Sequence, residues 1–273
     1  MVKQMSDTLQ VKEKKLLQYI QQYKHPAVAF SGGVDSSVVL AACKAAGVQV
    51  QPIMALAAMI PQFERQDAVK VAQETSSELI TLTVNPLANP QFCANDSKRC
   101  YYCKTMIMTA VKKQAQELGC DVVFDGTNAD DIGDYRPGMQ AIKEQGIVSP
   151  LLACGLTKTD VRALAVKYNL SLANKPAYAC LASRIAYGET ITETNLAMVE
   201  QAEDYLRKFY LHDLRVRCHG NLARIEVNPK EIALIAAGFR TDILQKLQEI
   251  GFTYVTLDLN GYSTGSMNKA IKQ

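Results

Sequence analysis

Residues 27 to 37 read Ala-Val-Ala-Phe-Ser-Gly-Gly-Val-Asp-Ser-Ser, and the apolar run Val38-Val39-Leu40 follows. That order predicts a buried strand ending at Phe30, a tight loop in which Gly32 and Gly33 let the backbone approach a ligand, and a helix beginning near Asp35 and Ser36. Unpaired N–H groups in the first turn of such a helix, backed by the positive end of its dipole, bind an oxyanion. Ser31, Ser36 and Ser37 add hydroxyl donors. An ordinary capped turn needs one serine; adjacent glycines, an Asp and paired serines exceed that need. The loop has neither the Lys of G-x-x-x-x-G-K-[ST] nor the third glycine of G-x-G-x-x-G.

Three other groups of residues carry chemistry. Asp125-Gly126-Thr127-Asn128-Ala129-Asp130-Asp131 offers carboxylates for Mg²⁺ or nucleotide hydroxyls, and the same residues suit a solvated turn. Cys100-Tyr-Tyr-Cys103 has the spacing that lets two thiolates converge on one metal or cluster, although chance pairs occur in a chain of eight cysteines. Arg215 and Arg217 alternate with apolar residues, so both project to one strand face, either to hold a phosphate or to meet solvent.

The elements that must position these residues follow from periodicity. Helical spacing is expected over residues 5–23, 36–46, 62–77 and 104–118, and strands at 27–30, 50–56, 79–84 and 121–124. Residues 85–99, rich in Asn, Pro and Ala, read as a loop or lid. Strands alternating with helices imply an α/β fold with a parallel, doubly wound sheet, which binds ligands beyond the carboxyl ends of its strands. Ser31 and the Asp125 turn both lie at such ends. After a helix capped by Thr157 and Asp160, residues 174–190 form a Pro- and Gly-marked loop carrying Cys180-Leu-Ala-Ser-Arg184. A helix over 192–209, strands at 214–218 and 223–227, helices over 229–237 and 242–250 and a strand at 254–259 make a smaller α+β domain. The expected domains are 1–190 and 191–273.

Composition narrows the function. With 273 residues, 48% of them hydrophobic and 21% charged, the chain buries a full core. No stretch approaches a membrane span, and residues 1–15 are polar instead of signal-like, so a cytoplasmic protein with no membrane partner is expected. A net charge of +3, with no basic stripe, argues against a nucleic-acid partner. Eight cysteines without a secretory signal point to a reducing compartment. Cys43, Cys120 and Cys218 fit apolar patterns as small core residues, while Cys93 and Cys154 lie in loops as inert thiols.

The Ser31 loop resembles the SGGxDS loop of the ATP pyrophosphatase, or PP-loop, superfamily, whose adenine nucleotide alpha hydrolase-like members split ATP between the α and β phosphates. The resemblance implies pyrophosphate held by Ser31, Gly32, Gly33, Asp35 and Ser36. SGGVDS at 31 to 36, Cys-Tyr-Tyr-Cys-Lys at 100 to 104, Asp-Gly-Thr-Asn at 125 to 128, Asp-Tyr-Arg-Pro-Gly at 134 to 138, Cys-Leu-Ala-Ser-Arg at 180 to 184, Leu-Arg-Val-Arg at 214 to 217 and Ala-Arg-Ile-Glu at 223 to 226 together resemble the LarE family over nearly the whole chain. These are ATP-dependent sulfur transferases that make the nickel-pincer nucleotide cofactor of lactate racemase. The resemblance implies Mg²⁺-dependent adenylation of a carboxylate on pyridinium-3,5-biscarboxylic acid mononucleotide, then sulfur delivery from sulfide or another source. It further implies nucleotide contacts from Gly126, Thr127, Asn128, Arg136, Ser183 and Arg184, a catalytic role for Lys104, substrate contacts from Glu203, Arg215 and Arg217, and a homo-oligomer, hexameric in the family. Where family members carry Arg in a Gly-x-Arg-Ser-Gly turn, this chain has Gly261-Tyr-Ser263-Thr-Gly265.

The family has two kinds. One sacrifices the sulfur of a single cysteine, at a position that aligns with Ala179. The other holds a 4Fe-4S cluster on three cysteines, and Cys100, Cys103 and Cys180 fit that set, leaving one iron open. A PP-loop thiolase acting on tRNA and an amidating ligase are the alternatives. The cradle predicts that ATP yields AMP and pyrophosphate and that Asp35→Ala abolishes this with the fold intact. Nucleotide products separated by ion-exchange chromatography check it, and ADP would remove the PP-loop assignment.

Overall fold

The computed structural model describes residues 7–132, 137–176, 178–209, 211 and 213–267. They fall into two compact units, one drawn from 1–84 and 100–178, the other from 85–99 and 179–273. In chain order come α1 (Asp7–Ile20), β1 (Pro26–Ala29), α2 (Val34–Ala45), β2 (Gln51–Leu56), α3 (Gln62–Glu74) and β3 (Ile80–Thr83). After the short α4 (Pro90–Cys93), α5 (Arg99–Glu117), β4 (Val122–Phe124), α6 (Pro137–Glu144), α7 (Pro150–Ala153) and α8 (Lys158–Lys167) complete this stretch.

The four strands of the first unit lie in the order β3-β2-β1-β4. All pair in parallel. Val148 bridges Phe124 beyond β4. β1, β2 and β4 are short, mainly apolar runs because both faces are covered, while the edge strand β3 alternates apolar with exposed threonine. Along β1, Val28 and Phe30 join the core under α1, α2 and α8, whereas Ala27 and Ala29 join Met108, Val111 and Ala115 of α5 on the opposite face. Met54 against Ile53 in β2, and Phe124 against Val123 in β4, split the same way. The period of two thus places each side chain. The α/β doubly wound expectation describes this sheet.

The second unit holds a 3₁₀ turn at Leu181–Arg184, then α9 (Glu193–Arg207), β5 (Arg215–His219), β6 (Leu222–Glu226), α10 (Ile232–Leu234), α11 (Arg240–Ile250) and β7 (Tyr254–Leu257). β5 and β6 form an antiparallel hairpin, and β7 adds in parallel to β6. A π turn at Ile235–Phe239 joins α10 to α11.

Three expectations change. The Cys100 pair lies in the first turn of a helix that starts at Arg99, not ahead of a helix that starts at Lys104. Neighbours from α6 support that turn: Tyr101 Oη donates to Glu144 at 2.7 Å, and a Cβ on Gly138 would stand 3.7 Å from Lys104. The 85–99 segment contains α4 and groups with the second unit instead of standing as a lid. Residues 179–190 also group with the second unit, so the division falls before Ala179 instead of at 191. The cause is pairing: Ile185 bridges Cys218, and the Ala186 N–H donates to the Cys218 carbonyl at 3.1 Å.

Gly32 has φ +71, and a Cβ there would meet Ala68 of α3, including its backbone, at 2.8–2.9 Å. Gly32→Ala therefore adds left-handed strain to a clash, together about 2–4 kcal/mol. Urea unfolding of the full chain should show that loss, and an unchanged midpoint would contradict it.

Candidate functional site

The winding of the sheet reverses at β1, with β2 on one side and β4 on the other. Ligand crevices form beyond the carboxyl ends of strands at such a point. The loops that border it are residues 31–33 and 125–128.

The first loop leaves the start of α2 open. Gly33 is the N-cap, with φ −83 and ψ 161, and no side chain caps the helix. In this turn the Ser37 N–H donates to the Gly33 carbonyl at 3.1 Å. Ser31 and Ser36 place their hydroxyls 3.2 Å apart, and those of Ser36 and Ser37 donate to the Gly33 carbonyl at 3.2 and 2.8 Å. Gly126 closes on this turn from the second loop: a Cβ there would stand 2.6 Å from the Ser36 nitrogen. Its missing side chain leaves the helix N-terminus clear. Main-chain donors and hydroxyls arranged in this way can hold an anion.

Asp35 faces two partners. Its carboxylate accepts from the Asn128 amide at 3.1 Å and pairs with the Lys158 ammonium. Lys158 opens α8, and its own N–H donates to Asp130 at 2.8 Å. The sequence signalled only the capping box of Thr157 and Asp160 there. Nothing local announced that Lys158 reaches back to residue 35.

The acidic turn is built largely for itself. Buried Asp125 accepts from the Thr127 and Ser149 hydroxyls, both at 2.6 Å. Asp131 accepts from the Asn128 N–H at 2.9 Å in a capping box. The Asp and Asn residues thus serve the turn, and Thr127 and Asn128 are buried with it. Among these carboxylates, Asp35 is the one in the first turn of α2.

Of the thiols, Cys100 is exposed and Cys103 and Cys180 are half-buried. Cys100 and Cys103 share one face of α5, one turn apart. Lys104 follows on the same helix and is half-buried. Among the described residues, no group of three or more His, Cys, Asp or Glu is gathered as a metal site. Burial pushes the Cys43 thiol up to about 12, and burial with the Glu189 charge pushes Cys218 up to about 11. Burial also raises Cys93, Cys120 and Cys154. Arg136 lies outside the described residues.

Within the second unit, Cys180 caps the Leu181–Arg184 turn. Ser183 Oγ donates to the Cys180 carbonyl at 2.8 Å, and Arg184 donates to the carbonyls of Ala179 and Cys180. Arg184 and Glu203 are both 0% exposed and form a two-pronged pair at 2.9 and 3.2 Å. Glu203 also accepts the Val216 N–H at 3.1 Å. Burial alone would raise its pKa; the Arg184 charge and hydrogen bonds, with Val216 N–H and Arg215, hold it below the usual carboxylate range. The structure therefore shows Glu203 carrying Arg184. Arg215 and Arg217 are buried, which rules out a solvated face. Arg215 lies 5.0 Å over the Tyr262 ring, and Arg217 meets Glu226 at 2.7 Å and the Ser183 carbonyl at 3.3 Å.

No family model matches the chain. An uncharacterized protein of Synechocystis sp. is 39% identical over 267 residues, covering 96% of this chain and 99% of its own length. The pyridinium-3,5-bisthiocarboxylic acid mononucleotide synthase of Lactiplantibacillus plantarum is 36% identical over 266 residues, 97% of this chain and 96% of its own. A tRNA-specific 2-thiouridylase MnmA of Geotalea uraniireducens is 28% identical over 194 residues, 56% of this chain and 52% of its own.

Glu203→Gln should destabilise the chain at pH 7 by about 3–5 kcal/mol, the scale for breaking a buried pair. A carboxylate with a depressed folded pKa stabilises above its unfolded value, near 4.3, and loses that contribution as pH falls through the folded value. The gap between the two proteins should therefore narrow below about pH 4.3 in urea titrations. A gap that does not change with pH would remove the ionised pair.

Proposed function

The chain belongs to the family of pyridinium-3,5-bisthiocarboxylic acid mononucleotide synthases, the LarE family, and we propose that it adenylates a carboxylate of pyridinium-3,5-biscarboxylic acid mononucleotide and replaces the adenylate with sulfur, once for each carboxylate. The observation that carries this reading is the uncapped start of α2 with Gly126 pressed against it. That cradle suits the β and γ phosphates of ATP. A substrate carboxylate oxygen attacks the α phosphorus, the bond to the β-phosphate oxygen breaks, and pyrophosphate leaves into the N–H groups and the hydroxyls of Ser31 and Ser36. Asp35 is the carboxylate placed to meet Mg²⁺, and Lys158, its partner, supplies the cation that offsets phosphate charge. In the second step sulfur attacks the acyl carbon and AMP departs.

Cys100, Cys103 and Cys180 are the donors we assign to a 4Fe-4S cluster. Thiols are the donors such a cluster takes, all three are reached by solvent, and two are one helical turn apart. When bound, such a cluster supplies an iron free of protein ligands at which sulfide from solution can be held. The second unit adds electrostatic support. Among its described residues, Arg99, Arg184, Arg215 and Arg217 are buried against only two buried carboxylates, Glu203 and Glu226. That excess suits the substrate phosphate and anionic sulfur. We assign the phosphate to the Arg215 and Arg217 face. Ser183, Arg184 and Glu203 act by holding the Cys180 turn. A homo-oligomer belongs to the same proposal. No helix among the described residues is long and apolar enough to cross a membrane. The tRNA reading has less support, since that thiouridylase matches 56% of the chain.

Anaerobic incubation of the reconstituted protein with ATP, Mg²⁺, sulfide and the biscarboxylate nucleotide should yield thiocarboxylate beyond one equivalent, with unchanged polypeptide mass. Intact-protein mass spectrometry and product counting check this. Stoichiometric product with dehydroalanine at residue 180 would replace the cluster by a sacrificial cysteine, and activity on tRNA instead of this nucleotide would overturn the substrate.

A further inference from the structure

Arg65 is half-buried in the first turn of α3, on the same face as Ala68 one turn later. Ala68 is the residue that Gly32 of the phosphate loop packs against. The Arg65 guanidinium clasps the turn that follows β2. Its Nε donates to the Ile60 carbonyl at 3.2 Å, and its Nη2 donates to the carbonyls of Ala57 and Ile60, both at 3.0 Å. The Ile60 N–H closes the same turn onto the Ala57 carbonyl at 3.0 Å. Both ends of the turn are thus held, while the N–H and carbonyl groups of its central residues, Ala58 and Met59, have no hydrogen-bond partner among the described residues. Met59 is nonetheless 1% exposed. Main-chain groups buried in this way nearly always have a partner, so these point to a ligand. Because β2 runs parallel to β1, the turn and residues 31–33 leave the sheet at one edge. All of these residues belong to the first unit.

We infer that Arg65 is a positioning residue of the nucleotide site, fixing the turn at 57–60 beside the phosphate loop so that the free main-chain groups of Ala58 and Met59 meet the nucleoside part of ATP. That role rests on the ATP reading above. Several features favour it over a merely structural one. The acids beside Arg65 on α3, Glu64 and Asp67, pair with Lys175 at 2.8 and 2.7 Å, and among the described residues no carboxylate pairs with Arg65. Its side-chain hydrogen bonds go to the turn alone. A planar fork reaches two carbonyls at once, whereas a lysine ammonium keeps the charge and loses the fork. One helix also serves both parts of the ligand: α3 supplies Ala68 against Gly32 and, one turn earlier, the fork that holds 57–60. A nucleotide whose phosphates lie in the cradle then meets a turn that is already fixed, and little ordering is left for binding to bring about.

Inorganic pyrophosphate separates the two roles, because it fills the cradle and carries no nucleoside. Full-length wild type, Arg65→Met and Arg65→Lys are titrated calorimetrically with pyrophosphate and with α,β-methylene-ATP, which cannot be cleaved between its α and β phosphates, each with Mg²⁺. Arg65→Met should bind the ATP analogue about 10–100-fold more weakly, the scale of losing hydrogen bonds to a charged group, with pyrophosphate affinity unchanged. Arg65→Lys should lose nearly as much, since the charge stays and the fork goes. Wild-type affinity for the analogue in Arg65→Met would overturn the inference. An equal loss for both ligands would overturn it too, because Arg65 would then support the cradle or the fold at large. If Arg65→Met fails to fold, Arg65→Lys decides by the same comparison. Wild type that binds pyrophosphate no more weakly than the analogue has no nucleoside contact to position, which overturns the inference and leaves the cradle standing; wild type that binds neither removes the ATP reading itself.

Discussion

At the start of α2, main-chain N–H groups stand without a side-chain cap, and the turn after β4 approaches so closely that only a glycine fits at 126. Much of the first unit answers to that approach. Parallel strands must place β1 and β4 side by side so that both loops end at one edge of the sheet. The helix after β1 must cross one face while α5 returns across the other, which is why β1, β2 and β4 carry apolar side chains on both sides and the edge strand β3 on one. Asp125 then ties its own turn through Thr127 and Ser149, and Asn128 bridges to Asp35. Lys158 joins the same point from α8. An anion bound there meets donors already fixed in place, so little reorganisation is needed when charge develops on a leaving group.

The second unit is organised by buried charge rather than by an open helix end. Arg184 and Arg217 both donate to carbonyls between Ala179 and Ser183, and Glu203 and Glu226 hold those two guanidinium groups. Buried pairs add little net stability, because desolvation offsets most of the attraction, yet removing one partner is costly. Their effect is to leave the Cys180 turn few conformations. Glu203 stays ionised because Arg184 and the Val216 N–H outweigh its burial.

Much of the cradle was legible because its signal is local. Two glycines, an Asp and paired serines between apolar runs specify a strand, a loop and a helix start without help from distant residues. The Asp125 turn was legible as a turn. Its carboxylates were open to two readings, and the hydroxyl of Ser149, twenty-four residues on, drew Asp125 inward. Lys158 was missed because its side chain acts across 123 residues of sequence. The Cys100 pair was expected before the helix, since nothing in Arg99 to Cys103 repeats apolar residues at helical spacing; the contact of Tyr101 with Glu144 supports that extra turn.

The sequence by itself determined the order of strands and helices, the alternation that buries both sheet faces, and the glycine- and serine-rich loop that follows β1. Those are properties of residue types and short spacings, and neighbours along the chain enforce them. Only the tertiary structure decided that Gly126 stands against Ser36, that Lys158 pairs with Asp35, that Glu203 carries Arg184 and that residues 85–99 belong with the second unit. Each of these joins groups far apart in the chain. Their geometry depends on which faces become buried together, and a buried charge or a missing Cβ acquires its meaning only from the atoms that fold beside it.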